Sequence, residues 1–207
     1  MQSHGLQRKL RAQSAVRNNI PNLLSVSRIA VIPLIVVFST LQIPACDALA
    51  SALFTAAAIT DYFDGKLARS WGQTSELGRM LDPIADKLLV AACLMVLVAA
   101  HTMSAAGLFP AVVIMLREIL ISGLREYLAS VRVGLPVTVL AKWKTGFQMG
   151  AIGLLLLGPA GAATIGLSWV PNLIIGESML WMAATLTLVT GWNYLRVGIN
   201  HATSVET

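Results

Sequence analysis

Between Lys87 and Arg117 the chain contains no Lys, Arg, Asp or Glu. A run of that length exceeds one helical bilayer crossing, which takes about 20 apolar residues. His101, Gly107 and Pro110 mark a turn near its middle, so it divides into expected spans near 82–101 and 106–127. A second uncharged block starts at Thr145, breaks around Gly158–Gly161 and Pro171–Asn172, and gives spans near 145–166 and 177–196. Upstream, residues 20–43 form a first span that carries Pro33 and the single charge of Arg28. Residues 47–60 are apolar and run directly into Asp61–Arg69, which predicts one helix continuing past the membrane surface. The expected fold is therefore an all-α integral membrane protein, with six transmembrane helices in one domain over residues 20–200.

Charge patterning supports the same organisation and sets its orientation. Only 12% of the 207 residues are charged and 56% are hydrophobic, against about 25% charged in a typical soluble domain; the mean hydropathy is +0.73. The net charge of +5 is not a nucleic-acid footprint, because the basic residues stand at the ends of apolar blocks, as in headgroup anchoring. With six spans, all 15 Lys and Arg fall on or towards the side that holds both termini, while the opposite loops hold Asp47, His101 and Glu177. The positive-inside rule makes the basic side cytoplasmic, as expected of an inner (cytoplasmic) membrane protein with its active site facing the cytoplasm. Residues 1–19 are polar, and the apolar stretch after them is longer than a signal-peptide core and interrupted by Arg28, which argues against a signal peptide. Leu6, Leu10 and Val16 among basic residues predict an N-terminal amphipathic helix lying at the cytoplasmic interface, with a solvated tail as the competing reading. Cys46 and Cys93 form no C-x-x-C and call for no disulfide. His4, His101 and His201 lack acidic or metal-spaced companions, and the tryptophans fall mostly near expected interfaces, as in an aromatic belt.

The chemistry concentrates at the end of the second helix and the start of the third. Asp61 and Asp64 are three apart and share one helical face; Asp82 and Asp86 are four apart and share another. Four carboxylates converging from two helix ends repel one another unless cations sit among them, and hard divalent ions such as Mg²⁺ or Mn²⁺ suit an all-oxygen donor set. Gly65, Ala68 and Gly78 remove bulk beside the acids, which allows close helix packing or close approach of a ligand. Arg69 adds a planar donor suited to phosphate. Acids, divalent ions and an arginine together suit phosphoryl transfer.

The spacing D-x2-D-G-x2-A-R-x8-G-x3-D-x3-D, occupied by Asp61, Asp64, Gly65, Ala68, Arg69, Gly78, Asp82 and Asp86, resembles the signature of the CDP-alcohol phosphotransferases. The resemblance implies a six-helix membrane fold, a homodimer and two divalent ions held by Asp61, Asp64, Asp82 and Asp86 on the diphosphate of a CDP-linked donor. Asp86 would also be the catalytic base on the incoming hydroxyl. Asn22, Asp61, Gly65, Ala68, Arg69 and Gly78 would line the donor pocket. Three further stretches, Asn19–Arg28, Arg117–Glu126 and Ala141–Gln148, resemble the phosphatidylglycerophosphate synthase branch of that family, so the resemblance extends from about residue 19 to 150. It implies CDP-diacylglycerol as donor and glycerol 3-phosphate as acceptor.

Arg117, Arg125, Lys142 and Lys144 fit this acceptor, because a dianion beside an acidic metal site needs cationic partners. Headgroup anchoring is the competing role for Lys142 and Lys144, and a structural ion pair the competing role for Arg117 and Glu118. Thr145 and Gln148 could bind the acceptor or simply join helices. Within the family the alternatives are a cardiolipin synthase of the same fold and an inositol-phosphate or serine transferase. Outside it, a small ion-coupled transporter would favour acids at mid-membrane, whereas these acids stand at its edge.

Overall fold

The computed structural model describes residues 25–71, 76–131, 133 and 139–205; for 62–71, 76–79 and 200–205 it describes the backbone alone. Among the described residues there are six α-helices and no strand. They are α1 (Ser25–Thr40), α2 (Pro44–Trp71), α3 (Glu76–Ala99), α4 (Leu108–Ser130), α5 (Val139–Thr164) and α6 (Asn172–Val205), with a 3₁₀ turn at Ala105–Gly107 before α4. The expected interfacial helix over residues 1–19 lies outside the described residues.

Each helix begins or ends where local chemistry favours it. Pro44 opens α2 at a position where its missing N–H costs nothing. With 28 residues, α2 rises about 42 Å, more than the roughly 30 Å of a bilayer's hydrocarbon core. One apolar-to-acidic helix can therefore carry Asp61 and Asp64 beyond the apolar layer, as the sequence predicts. The expected break at Gly158–Gly161 is instead a kink inside α5: Gly158 adopts φ 57° and ψ 170°, and Pro159 follows. That backbone region is open essentially to glycine alone, and the helix resumes to Thr164. The last helix is also longer than the expected 177–196, starting at Asn172 directly after Pro171 and running through polar C-terminal turns beyond the apolar block.

α5 is the most enclosed of the long apolar helices, packing chiefly on α6 and α2. Ala151, Ile152, Leu155 and Leu156 of α5 meet Phe54 of α2, Leu89 and Cys93 of α3, Ile114 of α4 and Leu180 of α6 in one core. Ser51 Oγ of α2 donates to the Gly153 carbonyl of α5 at 2.8 Å. At Gly161, an added Cβ would lie 3.1 Å from the Ala48 backbone nitrogen, so the glycine allows the two helices to touch.

Contacts at one end fix the alternation of chain direction. The Gln42 amide, just before α2, donates to the Ala100 carbonyl at the end of α3. Glu177, near the start of α6, accepts from the Ser104 backbone N–H and, at 2.8 Å, from its hydroxyl before α4. The end of α5 meets the start of α2 through Gly161. The acidic end of α2, the start of α3, the end of α4 and the start of α5 therefore share the opposite side of the bundle.

The outward surface is apolar: Met95 is 68% exposed, Phe109 67%, Ile119 66% and Ile174 68%. A soluble monomer could not expose such a surface, whereas lipid accommodates it. Three helical segments, Ala105–Ser130, Val139–Thr164 and Asn172–Ile199, are long and apolar enough to cross a membrane. Between α3 and α4, remote from the acids, an apolar groove of about 340 Å³ is lined by Leu94, Met95, Val98, Leu108, Val112 and Met115.

Candidate active site

Three helices meet at the acidic side through one arginine. Arg28, in the first turn of α1, is the single charge of an otherwise apolar helix, and its side chain is 4% exposed. A buried cation is costly unless partnered, and this one is partnered twice. Nη2 pairs with Asp61 Oδ1 of α2 at 2.7 Å, and Nη1 pairs with Asp86 Oδ1 of α3. One turn earlier on the same face of α1, the Ser25 hydroxyl donates to Asp82 Oδ1. Three of the four expected metal ligands are thus drawn together by the short face Ser25–Arg28.

The exposures are unequal, and the inequality matters for chemistry. Arg28 lies behind the acids, while the Asp61 and Asp86 side chains are 36% and 38% exposed. The carboxylates remain approachable from the side away from the guanidinium. Among the described residues no three acidic, histidine or cysteine side chains form a ready cage for an ion; Asp61, Asp82 and Asp86 are joined through Arg28 and Ser25 instead. Their donor set nevertheless fits a divalent ion in kind. It is all oxygen, comes from two rigid helices, and carries three formal negative charges against the one positive charge of Arg28. Asp64, Gly65, Ala68 and Arg69 fall on the α2 backbone and Gly78 on that of α3. Their side-chain environment, and Asn22 entirely, lie outside the described residues.

A second polar cluster spans α4, α5 and α6. Glu118 Oε1 accepts from Lys144 Nζ and, at 3.2 Å, from Arg117 Nη1. Arg117 Nη2 donates to Thr190 Oγ1 at 3.0 Å, and its guanidinium stands 5.9 Å from the centroid of the Tyr194 ring. Lys144 and Gln148, one turn apart on α5, are both buried. Arg117 Nε, Gln148 Oε1 and Thr187 Oγ1 are buried with no hydrogen-bond partner among the described residues. Two cations and one carboxylate leave this cluster a formal charge of +1 and spare donor capacity, as an anion site requires.

Of the four cations expected to serve an acceptor phosphate, Arg117 and Lys144 are brought together. Arg125 and Lys142 are exposed and stand outside the cluster. The ion pair weighed as the competing role for Arg117 and Glu118 is present, and Lys144 joins it. Thr145 instead donates to the Ala141 carbonyl of its own helix at 3.1 Å. In the sequence Arg28 stands out as a lone charge, Ser25 and Arg28 lie in the Asn19–Arg28 stretch that carries the family resemblance, and nothing singles out Thr190 or Tyr194. The Ser-x-x-Arg spacing inside an apolar span also puts the Ser25 and Arg28 side chains on one face.

Comparison with known proteins matches most of the chain. The family model for the CDP-alcohol phosphatidyltransferase matches residues 18–190. The chain is 42% identical over 181 residues to a Rickettsia bellii protein named CDP-diacylglycerol–glycerol-3-phosphate 3-phosphatidyltransferase, covering 87% of this chain and 96% of the relative. Proteins of the same name from Cereibacter sphaeroides and Salmonella choleraesuis are 38% and 40% identical, covering 86% of this chain and 94% and 93% of themselves.

Proposed function

The chain belongs to the CDP-alcohol phosphatidyltransferase family, and on that basis we propose the reaction carried by its acidic helix ends. It transfers a phosphatidyl group from CDP-diacylglycerol to glycerol 3-phosphate, giving phosphatidylglycerophosphate and CMP. The observation that supports this most is the convergence of Asp61, Asp82 and Asp86 on Ser25 and Arg28, on the side of the bundle that also holds the buried cation pair Arg117 and Lys144.

Asp61, Asp64, Asp82 and Asp86 would hold two divalent ions, Mg²⁺ or Mn²⁺, whose chemistry there would be to offset negative charge on the donor's diphosphate. By the family resemblance, Asn22, Gly65, Ala68, Arg69 and Gly78 serve the CDP-linked donor, the small residues by leaving it room and Arg69 as a guanidinium suited to phosphate. Asp86 accepts the proton of the glycerol 3-phosphate sn-1 hydroxyl. That oxygen bonds to the lipid-bearing phosphorus, the phosphorus–oxygen bond to CMP breaks, and CMP departs with the electron pair. Arg117 and Lys144 bind the acceptor phosphate through charge-assisted hydrogen bonds. Arg125 and Lys142, exposed nearer the helix ends, add to the positive field that draws a dianion inward.

The six helices cross the bilayer six times, with both termini and the acids on the cytoplasmic side, as the distribution of Lys and Arg favours. This brings a donor with tails in lipid and a headgroup in water to the level of Asp61 and Asp86. The protein acts as a homodimer, as the resemblance implies.

An acceptor panel tests the substrate assignment. The purified chain in detergent is given CDP-diacylglycerol with glycerol 3-phosphate, serine, inositol phosphate or phosphatidylglycerol, and CMP is measured. CMP is expected with glycerol 3-phosphate alone. Release with phosphatidylglycerol or serine, and none with glycerol 3-phosphate, would overturn the assignment.

A further inference from the structure

The face of α1 formed by Ser25 and Arg28 contacts three acids on two other helices, yet neither residue is among the expected metal ligands or substrate contacts. We propose that Ser25 and Arg28 are positioning residues: they hold one oxygen of Asp61, Asp82 and Asp86 from behind, so that the remaining oxygens face the divalent ions in a fixed arrangement. This inference rests on the reading of those acids as metal ligands and assigns a further task to α1.

Three observations carry it. Among the described residues each of these acids is held at one oxygen, Asp61 and Asp86 by Arg28 and Asp82 by Ser25. A carboxylate anchored at one oxygen by a fixed donor cannot turn freely, which restricts the direction in which its remaining lone pairs meet an ion. The planar fork of the guanidinium spans two acids on separate helices, Nη2 on α2 and Nη1 on α3. A lysine ammonium is a compact point charge on a flexible stem and cannot hold both in that geometry. Arg28 is also buried while its two acids are more than a third exposed. It therefore sits where an ion does not approach, and its burial makes it costly to pull away from its partners. Outer-shell partners of metal ligands typically contribute 10- to 100-fold in affinity.

Mn²⁺ binding to the full-length chain in detergent, followed by electron paramagnetic resonance, measures this without turnover. Arg28→Lys keeps the charge and loses the fork; Ser25→Ala removes one hydroxyl and fills less space. Arg28→Lys is expected to bind Mn²⁺ about 10- to 100-fold more weakly than the parent, and Ser25→Ala several-fold more weakly. If the acids serve as ligands and α1 is merely structural, both variants lower the thermal midpoint but bind Mn²⁺ within twofold of the parent, and the proposal is overturned. Where Arg28→Lys does not yield folded protein, Ser25→Ala alone decides by the same criterion. Asp61→Asn is run alongside: if it binds Mn²⁺ as the parent does, or the parent binds none, the metal reading of the acids fails rather than the role of α1.

Discussion

Asp86→Asn is expected to lower CMP release by roughly 10²- to 10⁴-fold, the range lost when a positioned general base is removed. The substitution keeps the size and hydrogen-bonding shape of the side chain, and Arg28 keeps Asp61 as its ionic partner. Folding is therefore expected to survive: the variant should insert, elute from size exclusion and melt in detergent much as the parent does. The test pairs initial-rate measurement with a thermal melt on the same preparation. Unchanged turnover would remove Asp86 from the role of base. Lost turnover with a collapsed melt would show that the Arg28–Asp86 pair is needed for the fold itself.

Lys144→Met is expected to act on one substrate selectively. Lys144 is 7% exposed and shares Glu118 with Arg117, so the variant leaves Glu118 one cationic partner and avoids an orphaned buried carboxylate. A charge-assisted hydrogen bond to phosphate contributes about 1.5–3 kcal/mol, and kcat/KM for glycerol 3-phosphate should fall roughly 10- to 100-fold. The KM for CDP-diacylglycerol should stay within about twofold, because the donor is held at the other cluster. Rates measured with each substrate varied at saturating levels of the other separate the two constants. A parallel rise in both, or a lowered melting point with unaltered constants, would make the Arg117–Glu118–Lys144 cluster a structural ion network.

The fold was legible where physical constraint was strongest. Uncharged runs longer than one bilayer crossing leave few options, so the turn between Lys87 and Arg117 and the helix running from Pro44 through Asp61 follow from residue order alone. The kink at Gly158 was not legible as a kink, because a Gly-Pro pair can either end a helix or bend it. The choice is made by the packing of Gly161 on Ala48. The end of α6 was missed because its polar turns lie beyond the apolar block that patterning detects.

The same division holds at the site. Asp61, Asp64, Asp82 and Asp86 announce themselves because helical spacing pairs carboxylates that would otherwise repel. Arg28 is different in kind. Its partners lie 33 and 58 positions away, and no periodicity within α1 names them; only the cost of a buried cation says that partners exist. Arg125 and Lys142 could not be told from Arg117 and Lys144 by residue type. Helix direction separates them, placing one pair on the exposed surface and the other against Glu118.

The direct test of metal-dependent transfer at the four aspartates is CMP release after chelation. The purified chain is stripped with excess EDTA, passed into metal-free buffer, and given CDP-diacylglycerol and glycerol 3-phosphate. No CMP above background is expected until Mg²⁺ or Mn²⁺ is restored, whereupon CMP and phosphatidylglycerophosphate should appear in equal amounts. Full turnover in the stripped protein, with no response to either ion, would contradict it.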